Sequence, residues 1–579
     1  MTVKGRTVIV PQNRGLCYFP NPEPWNPHRP VKIIVTGAGI GGVASAVLLS
    51  RKVPNASISV YDRLDKIGGT WAANVYPGVR CDVPSHAYQW SEYYPKGAEI
   101  QQYYERVVAK YGLTDDFHLR HEVLKASWIS ESSQWEVEIK NLESGDVFIQ
   151  RADFLVSSQG RISVPKFPDV PGLDTYKGRV VHTARWPNDF DYKNKRVAVI
   201  GNGASGQQLV PNIVKDVEHI DHYVRSKTWV TPTFAGDLFV ATADKPGGPE
   251  YSEETRKKFR DSPEFYLEHR RAFNAKLHIR HPGAEILGSQ ANQDLRDRIT
   301  EVMLERLDGD EEWLRRVVPD YSPGCKRLTP APGYLESLKG PKVDYVTSKI
   351  LRVEEGGIVT EDGNLRRVDA IIAATGFENG FTTRFPVIGK DGVDLREKWS
   401  ATGAIGYPET YFGVMAPGFP NYFTVLQAQG NARGGTVPLQ IEISATYIAK
   451  CIRKIQSQSY SSLTPRQDAT QEFNDIVNGH FTNKVTSDTC SSWFKQGPGK
   501  TRTVIAWPGT YHHRADILRD PRWEDFEFER RSDARLNRYE YFSDGSTVRE
   551  KTDDEKELTK YLRAVGDIDI ATVHEAWNE

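Results

Sequence analysis

The chain is 579 residues long, enough for three or four domains at about 150 residues each. Its 75 Lys+Arg nearly balance its 76 Asp+Glu, which argues against a nucleic-acid partner, because such proteins carry a basic surplus or stripe. Hydrophobic residues at 39% supply large cores, yet no run reaches the roughly 18 apolar residues of a membrane span, and no apolar signal-peptide region opens the chain.

Residues 1–30 are rich in Pro and Asn and read as a surface arm. Lys32-Ile-Ile-Val-Thr36, the turn Gly37-Ala-Gly39-Ile40-Gly41-Gly42 and the following Ala/Leu-rich run have the grammar of strand, glycine turn and helix. Arg196-Val-Ala-Val-Ile200, Gly201-Asn-Gly203-Ala-Ser205-Gly206 and Gln207 onward repeat it. In each copy the first glycine makes the turn, the second admits a pyrophosphate and the third lets helix meet strand. The expected fold class is therefore α/β, with two Rossmann-like dinucleotide-binding domains of the three-layer ββα type. Charged, helical sequence around 250–320, with Leu295, Ile299, Val302 and Met303 on one face, predicts a helical insertion. The expected division is 31–172 with 378–519 for the first domain and 173–232 with 325–377 for the second. The insertion takes 233–324, and 520–579 form a charged extension.

Twenty positions beyond Gly42 stands Asp62, where an acid hydrogen-bonds ribose hydroxyls; nineteen beyond Gly206 stands Arg225, followed by Ser226. An acid repels a 2′-phosphate whereas Arg grips it, so the first site predicts FAD or NAD and the second NADP. The five cysteines, Cys17, Cys81, Cys325, Cys451 and Cys490, are odd in number and contain no Cys-x-x-Cys pair. They predict reduced thiols in a cytoplasmic protein and argue against a disulfide scaffold, a zinc ribbon or a dithiol centre; no metal ligand set is expected.

Two longer motifs narrow the chemistry. Gly68-Gly69-Thr70-Trp71, four residues, Tyr76-Pro77-Gly78 and Asp82 form one; Tyr176, Gly178, His182, Trp186 and Pro187 form the other. With these motifs the chain, over roughly residues 31–510, resembles the type I Baeyer–Villiger monooxygenases, flavoproteins that use NADPH and O2. The fingerprint departs only in Tyr176, where Phe is usual. The resemblance implies FAD contacts at Gly37, Gly39, Ile40, Gly42, Asp62, Gly69, Thr70, Trp71, Asp82 and Tyr88. For NADPH it implies Gly201, Gly203, Ser205, Gly206, Gln207, Arg225, Ser226 and Lys326, with Trp493 on a mobile covering loop. It further implies that Arg327, paired with Asp82, stabilises a flavin peroxide and its adduct with a ketone. His182 is implied to be a linchpin between domains rather than a proton donor.

Two segments depart from the family pattern: Ser157-Ser-Gln-Gly160 closing the first domain, and the wall Gln427–Gly435. The arm and tail resemble a fungal branch that decorates secondary metabolites, implying a bulky polycyclic ketone as the small-molecule partner. A flavin monooxygenase acting on N or S, or a nucleotide-binding redox sensor, are the competing readings.

Overall fold

The computed structural model describes residues 24–83, 90–236, 250–278, 283–378, 381–496, 501–532, 539–552, 554–559 and 562. Val31–Thr36 (β1) is a β-branched run whose Ile33, Ile34 and Val35 are all buried, as a strand covered on both faces requires. The glycine turn feeds Ile40–Lys52 (α1), then Ala56–Asp62 (β2), Gly97–Lys110 (α2) and Phe117–Leu119 (β3). His121–Ile129 (β4), Gln134–Asn141 (β5) and Val147–Ala152 (β6) form an antiparallel meander, joined at its edge by Val387–Ile388. Along β5, Trp135, Val137 and Ile139 alternate inward, the period-two pattern of a sheet with one buried face. Phe154–Ser157 (β7) returns beside β1, giving a parallel sheet in the order Tyr422–Thr424, β7, β1, β2, β3.

This sheet has α1 and the long helix Val437–Ser457 on one face and the meander on the other. Those are the three layers expected of a ββα dinucleotide domain. The second domain repeats the plan with Arg179–His182 (β8), Arg196–Ile200 (β9), Ala204–Ile213 (α3) and His219–Tyr223 (β10). Its parallel sheet runs Val343–Val346, β10, β9, Ala370–Ala373, β8. A small antiparallel sheet, Ile350–Glu354, Gly357–Thr360 and Leu365–Arg367, covers its outer face.

The charged stretch is helical at Glu253–Asp261, Pro263–His278, Gln290–Arg306 and Glu311–Val317. Of its expected apolar face, Ile299 and Met303 are buried and Leu295 packs against them in the second domain's core, while Val302 stands outside that cluster. The chain passes between the domains twice, and the two passages pair: Lys166 N donates to Gly376 O (2.9 Å) and Glu378 N to Val164 O (2.9 Å). Beyond Asp520 the chain is less peripheral than its charge suggests, since Phe526–Arg530 pairs antiparallel with Tyr460–Pro465. No helix among the described residues is long and apolar enough to cross a membrane.

One expectation is overturned. Cys325 and Cys490 form a disulfide across 165 residues, with Cα atoms 6.2 Å apart, so the cysteines are not all reduced thiols. Motif spacing misses this pair because only the tertiary fold brings the two segments together. For these two residues the reduced-thiol argument for a cytoplasmic location falls. Cys81 and Cys451 are free thiols; burial and the neighbouring Asp82 push Cys81 up to about 11, which keeps it protonated and unreactive.

Candidate active site

The two glycine loops are built alike. Gly37 (φ +100°) and Gly201 (φ +104°) turn the chain in a region closed to other residues, and their N–H groups donate to Tyr61 O (2.8 Å) and Tyr223 O (2.9 Å). A Cβ on the third glycine of either loop would collide with the first: 1.8 Å from Gly37 O at Gly42, 2.1 Å from Gly201 O at Gly206. Helices α1 and α3 start at Gly39 and Gly203 with no side-chain cap and no acid in the first turn, leaving their N-terminal dipoles for an anion. Ile40 packs on the first domain's core. Gly69 lies against Gly39, where a Cβ would come within 2.7 Å of the Gly39 Cα; Thr70 and Trp71 open the short helical turn that follows. Asp62, at the carboxyl end of β2, accepts Ala38 N (2.6 Å) and Leu64 N (2.8 Å), which fixes the carboxylate with lone pairs to spare. Burial raises its pKa despite these bonds. This cradle fits the ribose and pyrophosphate of a dinucleotide.

The segment 76–82 docks the first domain onto the second. Tyr76 Oη donates to Gln208 Oε1 (2.8 Å), and Gln208 Nε2 donates to Arg80 O (3.0 Å). Gly78 presses so closely on α3 that a Cβ would sit 2.3 Å from Asn212 Nδ2. That docking carries Asp82 across the junction, where its carboxylate ion-pairs with Arg327; Arg327 is about half exposed and Asp82 mostly covered. Two residues on, Thr329 Oγ1 donates to Gln207 Oε1 (2.5 Å), pinning the Arg327 segment to α3. Gln207 is thus a buried anchor within the second domain. Ser205 lies on the first turn of α3, beside Tyr76.

Lys326 Nζ donates to Ser226 Oγ (3.1 Å). Its pKa is lowered first by burial and then by the repulsion of Arg225 and Lys495. Three cations gathered beyond β10 suit a 2′-phosphate. The disulfide ties Cys325, the residue before this pair, to Cys490, three residues before Trp493. Ser322 N donates to Asp488 Oδ2 (2.7 Å), closing the same link. Trp493 stacks near Phe381, ring centroids 6.3 Å apart, and the Arg161 guanidinium covers both rings at 5.6 and 5.7 Å.

The fingerprint residues do structural work. Gly178 is required because Tyr176 folds over it to donate to Val368 O (2.6 Å); a Cβ would strike the Tyr176 ring at 2.5 Å. His182 ends β8, buried against Phe167 and Phe377 on the paired crossings between the domains, and burial lowers its pKa. Trp186 packs edge-on against Phe190 and Tyr192. Tyr88 lies outside the described residues. His219, Asp221 and Asp344 could approach a metal, but Arg366 already pairs with both carboxylates (2.9 and 2.8 Å).

Sequence reasoning missed Gln208 and Asn212, the docking anchors, as well as Lys495, Arg161 and the disulfide. Lys495 lies only two residues past Trp493, and its proximity to a motif residue was the one available signal.

Two dinucleotide cradles in domains docked through segment 76–82 are the architecture of a flavin- and pyridine-nucleotide-dependent oxidoreductase. Residues 35–106 match the NAD(P)-binding Rossmann-like domain and residues 77–237 the pyridine nucleotide-disulphide oxidoreductase family. The FAD-binding monooxygenase stcW of Emericella nidulans is 34% identical over 522 residues, covering 86% of this chain and 83% of that protein. A Baeyer–Villiger monooxygenase of Streptomyces coelicolor is 32% identical over 512 residues, covering 86% and 92%. The crystal structure of cyclohexanone monooxygenase from Rhodococcus sp. Phi1 bound to NADP+ superposes with a TM-score of 0.72 at 26% identity, covering 87% of this chain and 100% of that one. The chain belongs to the Baeyer–Villiger family of FAD-binding monooxygenases. Members of that family are oxidoreductases that use FAD and NADPH, and this protein is one of them.

Proposed function

We propose that this protein converts a bulky, polycyclic ketone to an ester or lactone: ketone, O2, NADPH and H+ give the inserted product, NADP+ and water. FAD, when bound, would supply the redox chemistry between NADPH and O2. The chain's own residues bind, orient and shield. The first cradle, with Asp62, takes FAD; the second, with Arg225, Lys326 and Ser226, takes NADPH.

The observation that carries the reading is the Arg327–Asp82 pair, held at the junction by the docking of segment 76–82 on α3. Arg327 provides a fixed cation, with a fork of N–H donors, where negative charge on oxygen must be held. Asp82 keeps the guanidinium oriented. Trp493 and the segment tied to it by the disulfide exclude water from the junction. In this reading the domain limits are 31–172 with 378–519 and 173–232 with 325–377, with the insertion at 233–324.

The test is oxygen labelling. Protein loaded with FAD should oxidise NADPH in preference to NADH and give a product carrying one atom from 18O2. Arg327→Ala should still consume NADPH while ester formation falls about 10²–10³-fold. A protein that takes up no flavin refutes the reading, and so does undiminished product formation by Arg327→Ala. Oxygenation of amines or sulfides that survives this substitution would favour an N- or S-oxygenating enzyme.

A further inference from the structure

The loop that closes β7 differs from the family pattern, and it ends in Arg161. The loop leaves the carboxyl end of a central parallel strand, where open α/β sheets bind their ligands. Its backbone is fixed by Arg384 Nη2, which donates to Arg161 O (2.8 Å). The side chain reaches across Phe381 and Trp493, and its guanidinium lies within electrostatic range of Arg327.

Charge is unbalanced there. Arg327 is paired with Asp82, but among the described residues no carboxylate pairs with Arg161, and its buried Nη1 has no hydrogen-bond partner. The charged neighbour it does feel is Arg327, which repels it. Burial and that repulsion pull Arg161 down to about 10, so it remains cationic near neutrality. Two aromatic faces offset part of the desolvation, but they offer no acceptor to the guanidinium N–H groups. A buried guanidinium next to another is costly unless an anion joins them.

We propose that Arg161 makes this an anion-recognising substrate site: the ketone carries an acidic oxygen group, a carboxylate or an ionised phenol, that pairs with the Arg161 guanidinium. The fork of N–H donors matches a carboxylate in two parallel bonds. The phosphates of the two nucleotides have cradles of their own, at the uncapped starts of α1 and α3 and at Arg225, Lys326 and Lys495. The proposal rests on the Baeyer–Villiger reading for the identity of the ketone, whereas the binding preference is measured independently of turnover.

The experiment is calorimetry on the FAD- and NADP+-loaded protein, using one-ring and fused-ring keto acids, each against its own methyl ester. Wild type should bind acids at least about tenfold more tightly than the matching esters. Arg161→Gln should erase that preference while leaving ester and NADP+ affinities within about twofold, and Arg161→Lys should restore part of it. Flavin absorbance and melting temperature report that the variants fold. A wild type with no preference for the acids, including one that binds neither member, overturns the proposal, as does an equal loss for acid and ester. A fall in NADP+ affinity instead would assign Arg161 to a nucleotide phosphate and also overturn it. Failure of the labelling test above, with the acid preference intact, would refute the reaction and leave the anion site standing.

Discussion

Gly203 and Gly206 stand three residues apart in one loop, yet replacing each by alanine should break different things. At Gly206 a Cβ would sit 2.1 Å from Gly201 O, more than 1 Å inside van der Waals contact, and that oxygen is backbone in a loop held by Gly201 N–Tyr223 O. Helix α3 must therefore move off β9, and overpacking of this kind costs about 1–3 kcal/mol. At Gly203 nothing lies within 4 Å of the added methyl, and φ is −68°, an angle alanine adopts readily. Gly203→Ala should fold as well as wild type. The methyl would instead occupy the space in front of the α3 N-terminus, where the pyrophosphate must approach. Losing one close phosphate contact should weaken NADP+ binding by about 10–100-fold, equivalent to about 1.4–2.7 kcal/mol. Thermal melts and NADP+ titrations of the FAD-loaded protein separate the two effects, and FAD content should be unchanged in Gly203→Ala. Gly203→Ala binding NADP+ like wild type would refute the assignment of the second cradle. A Gly206→Ala variant with an unchanged melt would refute the steric account.

Four further outcomes are expected. Alkylation of the denatured, unreduced protein should label Cys81 and Cys451 and spare Cys325 and Cys490, read by mass spectrometry. Cys490→Ser should lower stability by about 2–5 kcal/mol, because the bond closes a loop of 165 residues, and should weaken NADP+ binding by loosening the Trp493 segment; an unchanged melt and affinity would count against a structural tether. Burial holds the His222 imidazole, between Val199 O and Tyr334 Oη, at about 4 against 6.5 in the unfolded chain. The unfolded state therefore takes up the extra proton as pH falls, so this contribution is full above about pH 6.5 and declines toward pH 4. At pH 5 the loss is about 2 kcal/mol, and His222→Gln should flatten that part of the pH dependence of the urea midpoint. Finally, Gln208→Ala removes the acceptor of Tyr76 and the donor to Arg80, so NADPH consumption should become less coupled to oxygenation as Asp82 drifts from Arg327; product per NADPH measures it.

The sequence by itself determined the local geometry of both glycine loops and pointed to FAD and NADP as the cofactors. Both strand–glycine–helix units are legible because the turn demands glycine at fixed positions, and Asp62 and Arg225 are legible because strand length fixes their distance from the loop. The long motifs contain Asp82 but not Arg327; it was the family resemblance they carry that implied the two as a pair. Tertiary structure alone decided how those pieces meet. Gln208 and Asn212 read as ordinary helix residues, yet their contacts with Tyr76, Arg80 and Gly78 join the domains and aim Asp82. Cys325 and Cys490, 165 residues apart, become partners only once the second domain lies beside the segment that leads to Trp493. Arg161 carries no motif, and its lack of a countercharge among the described residues is a property of its surroundings. Helix and strand periodicity report short-range constraints, whereas docking, disulfide pairing and charge balance depend on which distant surfaces the fold brings into contact.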